Sequence, residues 1–253
     1  FMLKKGFNYL QKEDDIYSAS ANWGRVYTIP NLLQIVKYST DDSYPLILEY
    51  CEQADSKDVV GWFDPLRERT RNFFTDKNIA EAALIKHRKA SYEALTSCEI
   101  LVITLGQNEA WVDTASNIVW AHKPPKSILD KNDDQYSVVE FSYEKNLSDL
   151  KEIVNILQTV NKNIKILFTV SPVASQASFS DIDVVTQSFS NKCLLRTVVN
   201  YVVSIQPDKL YYFPSFEMVL CDNPRNYCAD NCHVKYSMKN RIFTLFSKST
   251  FIR

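Results

Sequence analysis

The chain has 253 residues, 45% of them hydrophobic, which suits one sizeable α/β domain with a filled core. Its formal net charge of −1 leaves no basic face, so nucleic-acid binding is excluded as an expectation. No apolar run reaches the ~20 residues that cross a bilayer, so no membrane span is expected.

Residues 1–5 read as the end of a helix stopped at Gly6, and Phe7-Asn-Tyr-Leu10 as a short strand. The opening is too short for a signal peptide, which makes the cytoplasm the expected compartment. A start on Phe1, with Met second, is expected of a fragment or a processed chain. Pro30 opens a helix with Leu32, Leu33 and Val36 on its apolar stripe. Residues 40–75 read as irregular. A helix follows over 76–96, with Ile79, Ala83 and Ile85 among its apolar positions. Residues 100–105 form a buried strand, and 111–120 a hairpin. Lys123-Pro-Pro-Lys-Ser127 is a loop. Residues 142–160 form an amphipathic helix through Leu147, Leu150, Ile153, Val154 and Leu157. A second buried strand over 164–170 stops at Ser171-Pro172. A long helix over 184–205, a third strand over 209–213 and a terminal helix over 236–247 complete the chain. Strands alternating with helices predict a parallel sheet with right-handed crossovers, in one domain spanning 1–253.

Two places carry chemistry. The first is Thr104-Leu-Gly-Gln-Asn108, where six apolar or β-branched residues end at Gly106. Ligands of open α/β sheets bind beyond the carboxyl ends of strands, and the Asn108 amide placed there can donate to an oxyanion. The plainer reading is a strand-to-loop turn made by one of only four glycines. The second is Asp230-Asn-Cys-His233. A carboxylate three residues before a histidine can fix the imidazole through one nitrogen and leave the other as a general base. The plainer reading makes His233 structural. Of the other histidines, His87 reads as a surface residue, and His122 closes the hairpin as a weaker candidate for substrate contact.

Cys221, Cys228 and Cys232 directly precede His233 and could be read as zinc ligands. They lack the two close pairs of the usual structural site, so no metal is expected. Free cysteines are the default for a domain of this size.

In order, Gly24 within Ser20-Ala-Asn-Trp-Gly-Arg-Val-Tyr-Thr28, then Gly106-x-Asn108, then Asp230-x-x-His233 resemble three blocks of the SGNH (GDSL-like) hydrolases. More closely, the chain resembles the GSCFA family within that group. The matching stretches include Gly6-Phe-Asn-Tyr9, Asp64-Pro-Leu-Arg67, Thr169-Val-Ser-Pro-Val173, Ser190-Asn-Lys-Cys-Leu-Leu-Arg196 and Tyr212-Phe-Pro-Ser-Phe-Glu217. The resemblance implies a three-layer α/β/α fold with a mostly parallel sheet. It implies a serine ester hydrolase acting on acyl or acetyl groups of a small molecule or carbohydrate, without a cofactor. His233 would be the base, Asp230 its orienting partner, and Gly24 and Asn108 the oxyanion hole.

Three departures stand out. Arg25 occupies a position where the family usually has Asn. Asn108 is the residue expected of the broader group, where GSCFA proteins often have Thr. The Gly-Ser-Cys-Phe-Ala block that would supply the nucleophilic serine, together with the first strand, does not occur in the sequence; it is expected upstream of Phe1. Ser18, Ser20 and Ser171 do not follow strands in the required setting. The alternative is a non-catalytic domain that keeps the cleft and binds a carbohydrate or another ligand.

Overall fold

The computed structural model describes residues 23–52, 60–68, 73–131, 133–222 and 226–250. The elements expected over 1–10, and Ser18 and Ser20, lie outside the described residues. In chain order the elements are α1 (Ile29–Thr40), β1 (Glu49–Cys51), β2 (Gly61–Phe63), β3 (Phe73–Phe74), α2 (Lys77–Ser97), β4 (Ile100–Leu105), β5 (Glu109–Asp113), β6 (Ile118–Val119), α3 (Lys126–Leu129), β7 (Tyr136–Glu140), α4 (Tyr143–Val160), β8 (Lys165–Val170), α5 (Val184–Ile205), β9 (Leu210–Tyr212), α6 (Ser215–Asp222) and α7 (Tyr236–Thr250). They fall into two compact units. Among the described residues the first unit takes 23–99 and 108–164, and the second takes 100–107 and 165–250.

Helices of the first unit start where side-chain caps put them. The Thr28 hydroxyl accepts from the Asn31 N–H, with Pro30 in the first turn of α1. Asp76 caps α2 by accepting from the Ile79 N–H at 3.0 Å, and Ser142 caps α4 by accepting from the Lys145 N–H at 3.2 Å. Along α4, Leu150, Ile153, Val154 and Leu157 are buried, as the periodicity predicts. In α2 the buried stripe is Ala80, Leu84, His87, Ser91 and Leu95. Ile79 and Ile85, expected to be among the apolar positions of that helix, are 58% and 59% exposed. The three- and four-residue steps from Ala80 put His87 on the inner stripe and both isoleucines off it.

Residues 40–75, expected to be irregular, contain the antiparallel sheet β1-β2-β3. Its strands are two or three residues long, too short to display a period of two. Gly61 has φ +141°, and a Cβ there would stand 2.5 Å from the Phe74 carbonyl oxygen. The predicted hairpin forms as β5 and β6 with Asn117 at φ 59°, and β7 pairs on the other side of β5. Phe63, Trp120, Ile128 and Tyr136 make one buried cluster here.

The second unit contains the expected parallel sheet. Its order is β4-β8-β9, with Ile100 opposite Lys165, Leu105 opposite Val170 and Ile166 opposite Leu210. Helices lie on both sides of the sheet, giving the α/β class predicted. Ile166, Phe168 and Val170 on the central strand are fully buried. Asp183 caps α5, which matches the predicted 184–205. α6 follows Pro214 directly and was not predicted; at eight residues it shows little periodicity of its own. Val219 of α6 packs with Val234 and with Met238 of α7. Among the described residues no helix is long and apolar enough to cross a membrane.

Candidate active site

Asp230 and His233 lie between the partly buried Tyr227 and the buried Val234, which close the loop as an antiparallel bridge. The Cys228 N–H donates to the His233 carbonyl at 2.7 Å, and Asn231 takes φ 52° at the bend. One Asp230 oxygen accepts from the backbone N–H of Cys232 at 3.0 Å and of His233 at 2.9 Å. The other lies 2.6 Å from His233 Nδ1. The donors stand two and three residues after the acceptor, so a short polar side chain folds back onto its own loop. The His233 hydrogen bond, then the two backbone donors, hold the Asp230 carboxyl down to about 2. With Nδ1 engaged, Nε2 is the nitrogen left to exchange a proton, and it has no protein partner among the described residues.

This loop sits beyond the carboxyl end of β8. The Cys232 thiol donates to the Ala174 carbonyl at 3.1 Å, and the Tyr227 hydroxyl to the Pro172 carbonyl at 3.0 Å. The same end is fastened to β4 by the Ser171 N–H, which donates to the Leu105 carbonyl at 2.8 Å. Ser171 Oγ accepts from the Val173 N–H and makes no bond to His233. Gly106, expected to serve a tight turn, does not take a positive φ. Its carbonyl instead accepts from the ammonium of Lys192 on α5. An apolar groove of about 290 Å³ runs between the sheet and α7, lined by Val102, Thr104, Thr169, Phe243 and Phe246, and reaching Val234 beside His233.

Gly24 and Asn108 belong to the first unit. Gly24 has φ +71°, and a Cβ there would stand 2.7 Å from Glu68 Cβ. The Arg25 N–H donates to Glu68 Oε2 at 3.2 Å, and Arg25 Nε and Nη2 donate to Oε1 at 3.1 and 2.5 Å. Those bonds, despite some burial, lower the Glu68 carboxyl. Arg25 is thus folded onto a buried carboxylate. Glu68 was missed in the sequence, although it directly follows Asp64-Pro-Leu-Arg67.

Asn108 is fully buried. Its Nδ2 donates to the Phe141 carbonyl at 2.8 Å, and its Oδ1 accepts from Asn146 Nδ2 at 2.7 Å. Asn146, also fully buried, was not singled out in the sequence; its signal was a polar residue, with Asp149, on the inner stripe of α4.

His87, expected at the surface, is 8% exposed and stacks on Tyr38 with ring centroids 5.8 Å apart. His122 packs edge-on against Tyr27, centroids 6.0 Å apart. Cys51, Cys98, Cys193, Cys221, Cys228 and Cys232 form no disulfide. Among the described residues no three His, Cys, Asp or Glu side chains gather as metal ligands.

An α/β protein with a parallel sheet, and a carboxylate–imidazole pair beyond the end of one of its strands, is what the fold and the loop define. Residues 2–246 match the sequence pattern of the GSCFA family, and the chain belongs to that family. Comparison with curated proteins gave no match.

Proposed function

We propose that this chain is the base-bearing part of a serine ester hydrolase of the SGNH type, acting on acyl or acetyl esters of small molecules or carbohydrates. The observation that carries the reading is the 2.6 Å contact between Asp230 and His233 Nδ1, which leaves Nε2 unengaged on a half-exposed side chain. In such a reaction Nε2 takes the proton of a serine hydroxyl as it attacks the ester carbonyl, then returns it to the leaving alcohol. Asp230, held as a carboxylate, stabilises the imidazolium between those steps. The N–H of Gly24 and the second Nδ2 hydrogen of Asn108 are the donors this reading assigns to the oxyanion. The bonds from Asn108 to Phe141 and Asn146 would hold its amide rigid, which is what a preorganised donor requires. The apolar groove that reaches Val234 supports an acyl group as the part recognised.

The nucleophile of this reading is the serine of a Gly-Ser-Cys-Phe-Ala block, which the 253 residues do not contain. The test joins that block ahead of Phe1 and follows p-nitrophenyl acetate. The extended chain should turn over, and His233→Ala should lower kcat/KM by about 10²–10⁴, the usual contribution of a positioned base. Asp230→Asn should lower it in the same direction. An extended, folded chain whose activity ignores His233→Ala would defeat the assignment. A chain that binds esters without cleaving them would favour the binding-domain alternative.

A further inference from the structure

Asn108 stands one step beyond the last pair of the β5–β7 ladder, Glu109 opposite Glu140, and so faces Phe141. The Phe141 N–H donates to the Asn108 carbonyl at 3.0 Å. The Phe141 carbonyl accepts from the Asn108 side chain, with Nδ2 at 2.8 Å. A carbonyl only accepts, so the nitrogen end of that amide is turned towards Phe141. Its oxygen end accepts from Asn146 Nδ2 at 2.7 Å. The same Asn146 nitrogen donates to the Ser142 carbonyl at 2.9 Å and reaches the Phe141 carbonyl at 3.2 Å. Three acceptors surround one NH2 group, so the end of Asn146 that meets Asn108 is its donor end. Backbone carbonyls at the start of α4, where Ser142 is the cap, thereby set the polarity of both amides. Asn146 Oδ1 is buried without a partner among the described residues, which is unfavourable, so the NH2 group is what this position uses. Asp149, the other buried polar residue on the stripe, accepts from Lys145 Nζ at 2.8 Å, and its carboxylate bonds neither asparagine.

We propose that Asn146 is a positioning residue that fixes which end of the Asn108 amide is presented. Phe141 takes one hydrogen of Asn108 Nδ2, and Asn146 engages Oδ1, so what the amide has left to offer is its second Nδ2 hydrogen. An amide turned over would offer a carbonyl oxygen instead, which repels an oxyanion. A rigid amide could face either way; the donor end of Asn146 permits one way only. The bearing of this on ester hydrolysis rests on the reading above; the arrangement of the two amides does not.

The test on the 253-residue chain reads polarity directly, from NMR couplings transmitted across hydrogen bonds. Asn146 Nδ2 should couple to Asn108 Cγ, and Asn108 Nδ2 to the Phe141 carbonyl carbon. In Asn146→Leu, which fills the space without a donor, the Asn108 side-chain amide should exchange with solvent at least about tenfold faster. Asn146→Asp keeps the shape, replaces the donor by an acceptor, and should do the same. In the chain extended with the nucleophile block, Asn108→Ala should lower kcat by about 10²–10³, the usual effect of losing one oxyanion donor. There Asn146→Leu should lower kcat at least about tenfold with KM within about twofold. Added to Asn108→Ala it should cost less than about a further twofold, because it acts through that amide alone; a merely structural residue would exert its full effect in both backgrounds. Either coupling missing from the wild-type chain, unchanged exchange in a folded Asn146→Leu, or additive losses of kcat would overturn the proposal. If neither variant folds, the wild-type couplings decide. An extended chain that is inactive, or indifferent to Asn108→Ala, while both couplings are present would fail the esterase reading and leave the arrangement of the amides intact.

Discussion

A single carboxylate organises the candidate site at the scale of residues. Asp230 receives two backbone N–H groups and an imidazole, so its charged form is favoured by the loop that it shapes. Its pKa is lower folded than unfolded, so its contribution is present above the unfolded value of about 4 and is lost as pH falls towards 2. We expect the Cys232 and His233 amide signals, whose N–H groups donate to Asp230, to shift together below about pH 3. Asp230→Asn should remove that transition; amide spectra across the range check it. Gly24 supplies a second residue-scale prediction. Ala at this position must adopt φ +71° and meets Glu68 at Cβ rather than at the carboxylate. Truncating Glu68 to Ala leaves that contact in place. Gly24→Ala should therefore cost about 1–3 kcal/mol, the usual range for strained backbone, with no rescue by Glu68→Ala. Thermal melts of the single and double variants measure both. His87 teaches the opposite lesson about reading single residues. Lys86 and Arg88 flank it in sequence, yet a helix turns each neighbour about 100° away, so flanking charge says nothing about the face His87 shares with Leu84 and Ser91.

Elements divide by length and by how they are capped. Helices with a capping Thr, Asp or Ser were legible because the cap and the apolar stripe are both local. The sheet β1-β2-β3 was not, since strands this short take their register from partners distant in sequence. Just past β2, Asp64 and Arg67 form an ion pair at 2.7 Å with both side chains at least 96% covered. Asp64 Oδ1 also accepts from the Leu66 N–H at 2.9 Å, so the pair fixes the turn that leads to Glu68. Removing one partner strands the other charge. Arg67→Ala should cost about 3–5 kcal/mol, whereas the paired change Asp64→Asn with Arg67→Met should recover most of it. Urea unfolding midpoints at constant slope separate the two outcomes.

For the molecule as a whole, the proposed esterase reading turns on whether chemistry spread over the chain is completed by a nucleophile. On that reading, Asp230 and His233 without the serine are a base with nothing to deprotonate, so the 253-residue chain should show no serine-dependent turnover of p-nitrophenyl acetate. Hydrolysis abolished by Ser171→Ala would show that Ser171 is the nucleophile after all. The sequence by itself determined the α/β class, because three apolar runs separated by helical stretches are joined by crossovers that make them parallel neighbours; it overstated the burial of β4, whose Val102 and Thr104 are exposed. It also determined the Asp230–His233 contact, because a carboxylate three residues before an imidazole reaches it within one turn. It carried family membership in motifs strung along the chain. Tertiary structure decided what the local pattern could not hold. Glu68 came to Gly24 across 44 positions, Lys192 to Gly106 across 86, and Asn108 became fully buried against Phe141 and Asn146. Each of these is a polar group whose partner lies far off in the chain. Burial makes the partner obligatory, and only the folded arrangement determines which group it is.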